Sequence, residues 1–148
     1  MTIKQTGRPL SEVSPSVQAH LSILQTIIQR MAANSTSCKT WSVTVVSAVL
    51  VIVADKGKPD FAFIALIPTF LFLALDAYYL ALEKAFRASY AEFVEKIHSG
   101  AAKAKDLYTI APKGNHSKHQ IEALKSFSVW GFYVTLFVLI VLARSVVL

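Results

Sequence analysis

Disulfide chemistry is the first thing this sequence lacks. A single cysteine, Cys38, stands in 148 residues, which excludes an internal disulfide and any multi-cysteine metal site. Its simplest role is that of a small apolar filler. Acidic residues are also few: nine Asp and Glu face fifteen Lys and Arg, for a formal net charge of +6. Charged residues of both signs together make up only 16% of the chain, low for a domain that meets water on every side. There is no glycine-rich phosphate loop, no nucleophile elbow and no acid–base pair of carboxylates. The histidines, His20, His98, His116 and His119, are scattered, and His116-Ser-Lys-His119 has no Cys or acidic partner to complete a metal site. These absences argue against an enzyme and call for no cofactor. No basic–aromatic stripe supports a nucleic-acid partner. No apolar core or small-residue cleavage site follows Met1–Arg8, so no signal peptide is expected.

What is present is apolar. Hydrophobic residues make up 54% of the chain and the mean hydropathy is +0.50, which points to a membrane protein. Two apolar segments, spans at about 40–55 and 60–82, flank the turn Asp55-Lys-Gly-Lys-Pro-Asp60. They have the length and composition of membrane-crossing helices. A linker of about six residues with Gly and Pro holds no domain, so the segments run antiparallel and adjacent. A third apolar run, Ser126 to Ala143, begins with Trp130 and Tyr133 as an aromatic belt and ends near Arg144, which can snorkel.

Neither arm of the hairpin stops at the membrane. Val17, Leu21, Leu24, Ile28 and Met31 recur at helical spacing before the first span, with Ser14 or Ser16 as cap and Pro15 near the first turn. Phe86, Tyr90, Phe93 and Ile97 do the same after the second. Glu83 with Arg87 and Glu92 with Lys96 are favourable pairs one turn apart. The expected fold is therefore an all-α membrane protein. A long antiparallel hairpin, with two spans extended into a cytoplasmic stalk, is joined by a third C-terminal transmembrane helix. By segment, this gives a flexible tail over 1–15, the hairpin over 16–98, a basic connector over 99–117 and helix plus third span over 118–148. Ser99-Gly100 ends the second arm, Ala101–Lys105 is a short helical candidate, and Ser117 is a candidate cap for the last segment. Most Lys and Arg precede or follow the hairpin, with only Lys56 and Lys58 in its turn. The positive-inside rule then places the N-terminus and the 83–125 region in the cytoplasm, and the hairpin turn and the C-terminus outside.

Four sets of residues are candidate sites. Positions equidistant from the turn centre pair Lys39 with Asp76. An aspartate inside a span costs roughly 2.5–3.5 kcal/mol unless it is paired. An ion pair within the chain, an ion pair between subunits, and two side chains snorkelling beside Tyr78 and Tyr79 are all open. Ser37, Thr40, Thr44 and Ser47 form a hydroxyl stripe at helical spacing, which either lines an aqueous path or lets helices pack closely. Pro68 is either a hinge or a tolerated proline. Lys103, Lys105, Lys113 and Lys118 are candidates to contact an acidic partner, an anionic ligand or anionic lipid. Ile23, Ile27, Phe93 and Val94 are apolar positions a bare helix pair leaves over, for a third helix or another subunit to cover.

At Ser37-Cys-Lys-Thr-Trp41, Ala54-Asp-Lys-Gly-Lys-Pro59 and Asp76-Ala-Tyr-Tyr-Leu-Ala-Leu-Glu83, followed by Phe86, Arg87 and Tyr90, the chain resembles the small bacterial SLATT-type membrane effectors. The likeness covers about residues 16–98. It implies an oligomeric pore or ion channel of anti-phage defence, triggered by a partner sensor or a nucleotide-synthesising enzyme, that disrupts the membrane in abortive infection. The other reading is a membrane anchor or accessory subunit that docks a cytoplasmic defence enzyme and conducts nothing.

Overall fold

The computed structural model describes residues 10–146, except the side chain of His116. The expected N-terminal tail thus falls largely outside the described residues, which over their whole length carry helices and no strand. Helix α1 spans Pro15–Lys56, α2 Leu66–His98, α3 His116–Leu124 and α4 Phe127–Val146. Three helical stretches, Pro15–Lys56, Pro59–His98 and Phe127–Val146, are long and apolar enough to cross a membrane.

At 42 residues, α1 is about 63 Å long, twice the hydrocarbon thickness of a bilayer. It stays unbroken through the polar stretch Asn34–Thr40, where hydroxyls compete for backbone hydrogen bonds. The reason is local. Thr36, Thr40 and Thr44 each donate to the carbonyl one turn back, at 3.1, 3.3 and 3.0 Å, so the hydroxyls are satisfied without unwinding the helix. Ser14 occupies the N-cap position with Pro15 as first helical residue, but its hydroxyl meets that of Ser16 and caps no backbone N–H. At the other end Gly57 adopts φ +58°, a left-handed stop that other side chains resist.

The second arm corrects the expected helix from Asp60. Pro59–Ala65 winds as a tighter 3₁₀ segment, and α-helix begins only at Leu66. Pro68 explains this: it offers no N–H to the Ile64 carbonyl, and its ring crowds that carbonyl. Pro68 therefore lies in the first turn of α2 rather than within it.

Small residues set how close α1 and α2 come. Ala77, Ala81, Ala85 and Ser89 recur every fourth residue along the buried side of α2, and Ser35, Cys38 and Ser42 are buried on α1. Small side chains allow backbones to approach in a membrane. Helix α4 packs beside this pair through Val129, Tyr133, Leu136 and Ile140, against Val46, Ala65 and Ala77. Arg144 at its far end reaches Asp60 at 2.7 Å and stacks over Phe63. Helix α4 thus runs alongside α1 in the same direction. Tyr133 is 3% exposed, so it belongs to the core and not to an aromatic belt; its place in the 4-3-4 buried spacing of α4 decides this. Trp130 remains exposed.

The segment between α2 and α3 is attached to the hairpin. Only Ala104–Asp106 is helical, as one 3₁₀ turn, so the helix expected over Ala101–Lys105 shrinks to that. Ala102 and Leu107 pack with Val17, Leu21, Phe93 and Ile97. Ser89 donates to the Ala111 carbonyl at 2.8 Å, and the Lys113 N–H to that of Ala85 at 3.3 Å. This strap covers Phe93, which a bare helix pair would leave open. Helix α3 is capped by Asn115, whose side chain accepts the Lys118 N–H, and not by Ser117. Asn115 sits extended one residue before the helix, the geometry an N-cap requires. Gly114 precedes it at φ +95°, and a Cβ there would meet the His119 ring at 2.4 Å.

Candidate functional site

The most concentrated polar chemistry lies between α1 and α2 at Asp76. Its side chain is 0% exposed. Lys39 Nζ stands 2.6 Å from Oδ2, and Ser35 donates a short hydrogen bond to Oδ1. The ammonium also reaches the Ser35 hydroxyl at 3.4 Å, closing a three-membered cluster. The charge pair is lopsided: the Lys39 side chain keeps 18% of its surface open while the carboxylate has none. Lysine can keep its head near water along a long stem, whereas aspartate has no such reach. Two more buried hydroxyls, of Ser42 and Tyr133, have no hydrogen-bond partner among the described residues. Tyr133 packs in the same buried cluster as Ala77, the residue that follows Asp76. Unsatisfied hydroxyls beside a buried carboxylate commonly hold ordered water.

Ser35 was not singled out in the sequence. The available signal was its place one turn before Lys39, on the same side of α1 as Cys38 and Ser42. Once Asp76 is paired with Lys39, that hydroxyl is the nearest one able to reach the carboxylate.

Ser37, Thr40, Thr44 and Ser47 are all exposed on one continuous face. It lies roughly half a turn around α1 from the buried face of Ser35, Cys38, Ser42 and Val46. Packing against α2 is thus the work of other small residues, and the stripe stays outside the buried core. Beside it, Val43 and α4 residues Gly131, Phe132 and Thr135 border an open apolar groove of about 370 Å³.

The four candidate lysines differ in state. Lys103, Lys105 and Lys118 are exposed. Lys113 is engaged, its Nζ 2.6 Å from Glu92. Lys96 reaches the same carboxylate at 2.9 Å and Asp106 at 3.8 Å. Hydrogen bonds from Lys113, then Lys96, hold the Glu92 carboxyl below its ordinary range, and Glu92 raises Lys96 in turn. Arg87 binds Glu83 at 2.8 Å, the expected pair one turn apart. His119 Nε2 faces the Lys113 carbonyl at 3.1 Å. Among the described residues, no three His, Cys, Asp or Glu side chains gather to hold a metal ion.

The histidine with the most specific surroundings is His20, 2% exposed and packed edge-on against Phe93 at 4.3 Å. Its Nδ1 accepts the Tyr108 N–H at 3.0 Å. Burial pushes its basicity below the usual imidazole range. The sequence offered little signal for this, since the partner is a backbone amide 88 residues away.

Compared with protein-family models, with curated proteins and with solved structures, the chain matches none.

Proposed function

We propose that this chain is a non-enzymatic, homo-oligomeric bacterial inner-membrane effector that forms a regulated ion-conducting path. The observation that carries the reading is the hydroxyl stripe. Ser37, Thr40, Thr44 and Ser47 are all left outside the packing of the three long helices. A hydroxyl face turned to lipid gains nothing there, whereas copies arranged about α1 would turn it to a shared axis where hydroxyls replace part of an ion's hydration. The Lys39–Asp76 pair at 2.6 Å would hold the two arms in register and gate the path.

In this reading the hairpin crosses the membrane twice and α4 a third time, with the N-terminus cytoplasmic and the C-terminus outside. The distal parts of α1 and α2 then form a cytoplasmic stalk. The stalk, the strap and exposed Lys103, Lys105 and Lys118 would receive the trigger, from a sensor protein or a nucleotide-synthesising enzyme. The consequence is a leaky membrane and abortive infection. The resemblance to SLATT-type effectors supplies this part of the proposal.

Cysteine accessibility tests the path directly. Ser37→Cys, Thr44→Cys and Ser47→Cys should react in membranes with a water-borne thiol reagent, while Ile52→Cys, on another exposed side of α1, should not. Ion flux through proteoliposomes should fall when Thr44 and Ser47 become valine. An unreactive stripe and vesicles that stay tight would sink the pore and favour the non-conducting anchor.

A further inference from the structure

The strap over residues 102–113 is held by contacts of different kinds, and one of them changes with protonation. Apolar packing of Ala102 and Leu107, the Ser89–Ala111 bond and the Lys113–Glu92 pair persist over a wide pH range. The Tyr108–His20 bond does not. It needs a lone pair on His20 Nδ1, which only the neutral ring has. It also holds Tyr108 at φ +60°, a left-handed conformation that a non-glycine residue adopts at a cost. The strap is therefore strained at the residue its most acid-sensitive contact holds.

We propose that His20 is an acid-operated catch. Protonation of its imidazole removes the acceptor for the Tyr108 N–H and raises the population in which the strap is open. Such a release changes the covering of Phe93 and the attachment of α3, and it stands whether or not the protein conducts.

The charged groups around His20 do not oppose the switch. The small cavity it shares holds Glu92, Lys96 and Lys113, with Asp106 from the strap. Two negative and two positive charges face one another there, both acids lying within ion-pair distance of Lys96. None is left over to hold an imidazolium. Phe93 from α2 and Leu24 from α1 add apolar surface, and Ser89, Thr109 and Ala111 bring no further charge.

The sign follows from linkage. In the closed state burial lowers the affinity of His20 for a proton, and the Nδ1 acceptor role requires the neutral ring, so closure is favoured at neutral pH and weakens as pH falls below about 6.5, the free imidazole value. Moving from pH 7.5 to 5.5 then increases the open population by up to about tenfold.

Amide hydrogen exchange on the full-length protein in lipid nanodiscs reads this out, after correction for intrinsic pH effects. Exchange at 107–111 should accelerate several-fold to tenfold at pH 5.5, with α4 unchanged. His20→Asn places an amide oxygen near the Nδ1 position but cannot titrate, so it should keep the protection and abolish its pH dependence. Independently, the His20 ring titrated by NMR in the wild-type protein should protonate below 6.5. A ring that protonates at or above 6.5, a strap equally protected at both pH values, or an acid response retained by His20→Asn would each overturn the catch.

Discussion

The two ends of the hairpin expose opposite kinds of surface along the same pair of helices. Near the turn, the outside is large and apolar: Val51, Ile52, Phe61, Ile67, Phe70 and Leu71 are exposed, while Ala62, Ala65 and Thr69 are buried. Toward the open end the order reverses. Leu24, Phe93 and Ile97 lie inside, and Glu92, Glu95 and Lys96 are at or near the surface. In the proposed topology, burial of apolar area drives the open end in water, whereas near the turn, in lipid, close contact between small side chains does more. Asp76 sits where the regimes meet. It is charged like the open end, yet as buried as anything near the turn, and only Lys39 and Ser35 make that tolerable.

The comparison can be broken from either side. The largest effect is expected at the junction. Lys39→Met strands a wholly buried carboxylate and should cost about 3–5 kcal/mol of stability, read by denaturant unfolding in detergent. Asp76→Asn should cost less, because Lys39 can turn its head toward water. The reversed pair Lys39→Asp/Asp76→Lys should recover part of what each single change loses; recovery of nothing would argue that the pair is incidental.

Next is the open end, where Phe93→Ala removes the ring shared by His20 and the strap. A loss of about 3 kcal/mol is expected, with strap amides losing protection before those of α4. If α4 loosens equally, the two ends are one cooperative unit and the contrast fails. Arg144→Gln removes an exposed pair with Asp60, and the change in thermal unfolding should correspond to under about 1 kcal/mol. The smallest effect belongs to Glu92. Its carboxyl is depressed by Lys113 and Lys96, so its contribution is full above about 4.5 and fades as pH falls further. Glu92→Gln should remove that acid step, measured at the strap by exchange, and leave the His20 response below pH 6.5 in place.

Much of the frame was legible before any coordinates. Hydropathy and the Gly-Pro turn located the three long apolar helices, because a span needs a long run of apolar residues that composition cannot hide. Depth from the turn placed Lys39 level with Asp76 because the linker is short, and the structure selects the pair within the chain from the alternatives this left open. The depth argument did not reach Ser35 or the buried state of Tyr133, which depend on the rotation of each helix about its axis. Where each turn begins also escaped: Pro68 was visible, but its tightening of Pro59–Ala65 needed the backbone.

The sequence by itself determined the apolar lengths, the short turn between the first two helices and the hydroxyl stripe, since each is a property of consecutive residues. Tertiary structure alone decided which side of α1 meets α2, leaving Ser42 inside and Thr44 outside. It also brought the strap back to His20. That contact joins a side chain to a backbone amide far along the chain, and backbone amides carry no mark in the sequence. Closing such a loop costs entropy whatever its composition. The surface it lands on, including Phe93 and Val17, exists only once both long helices are side by side.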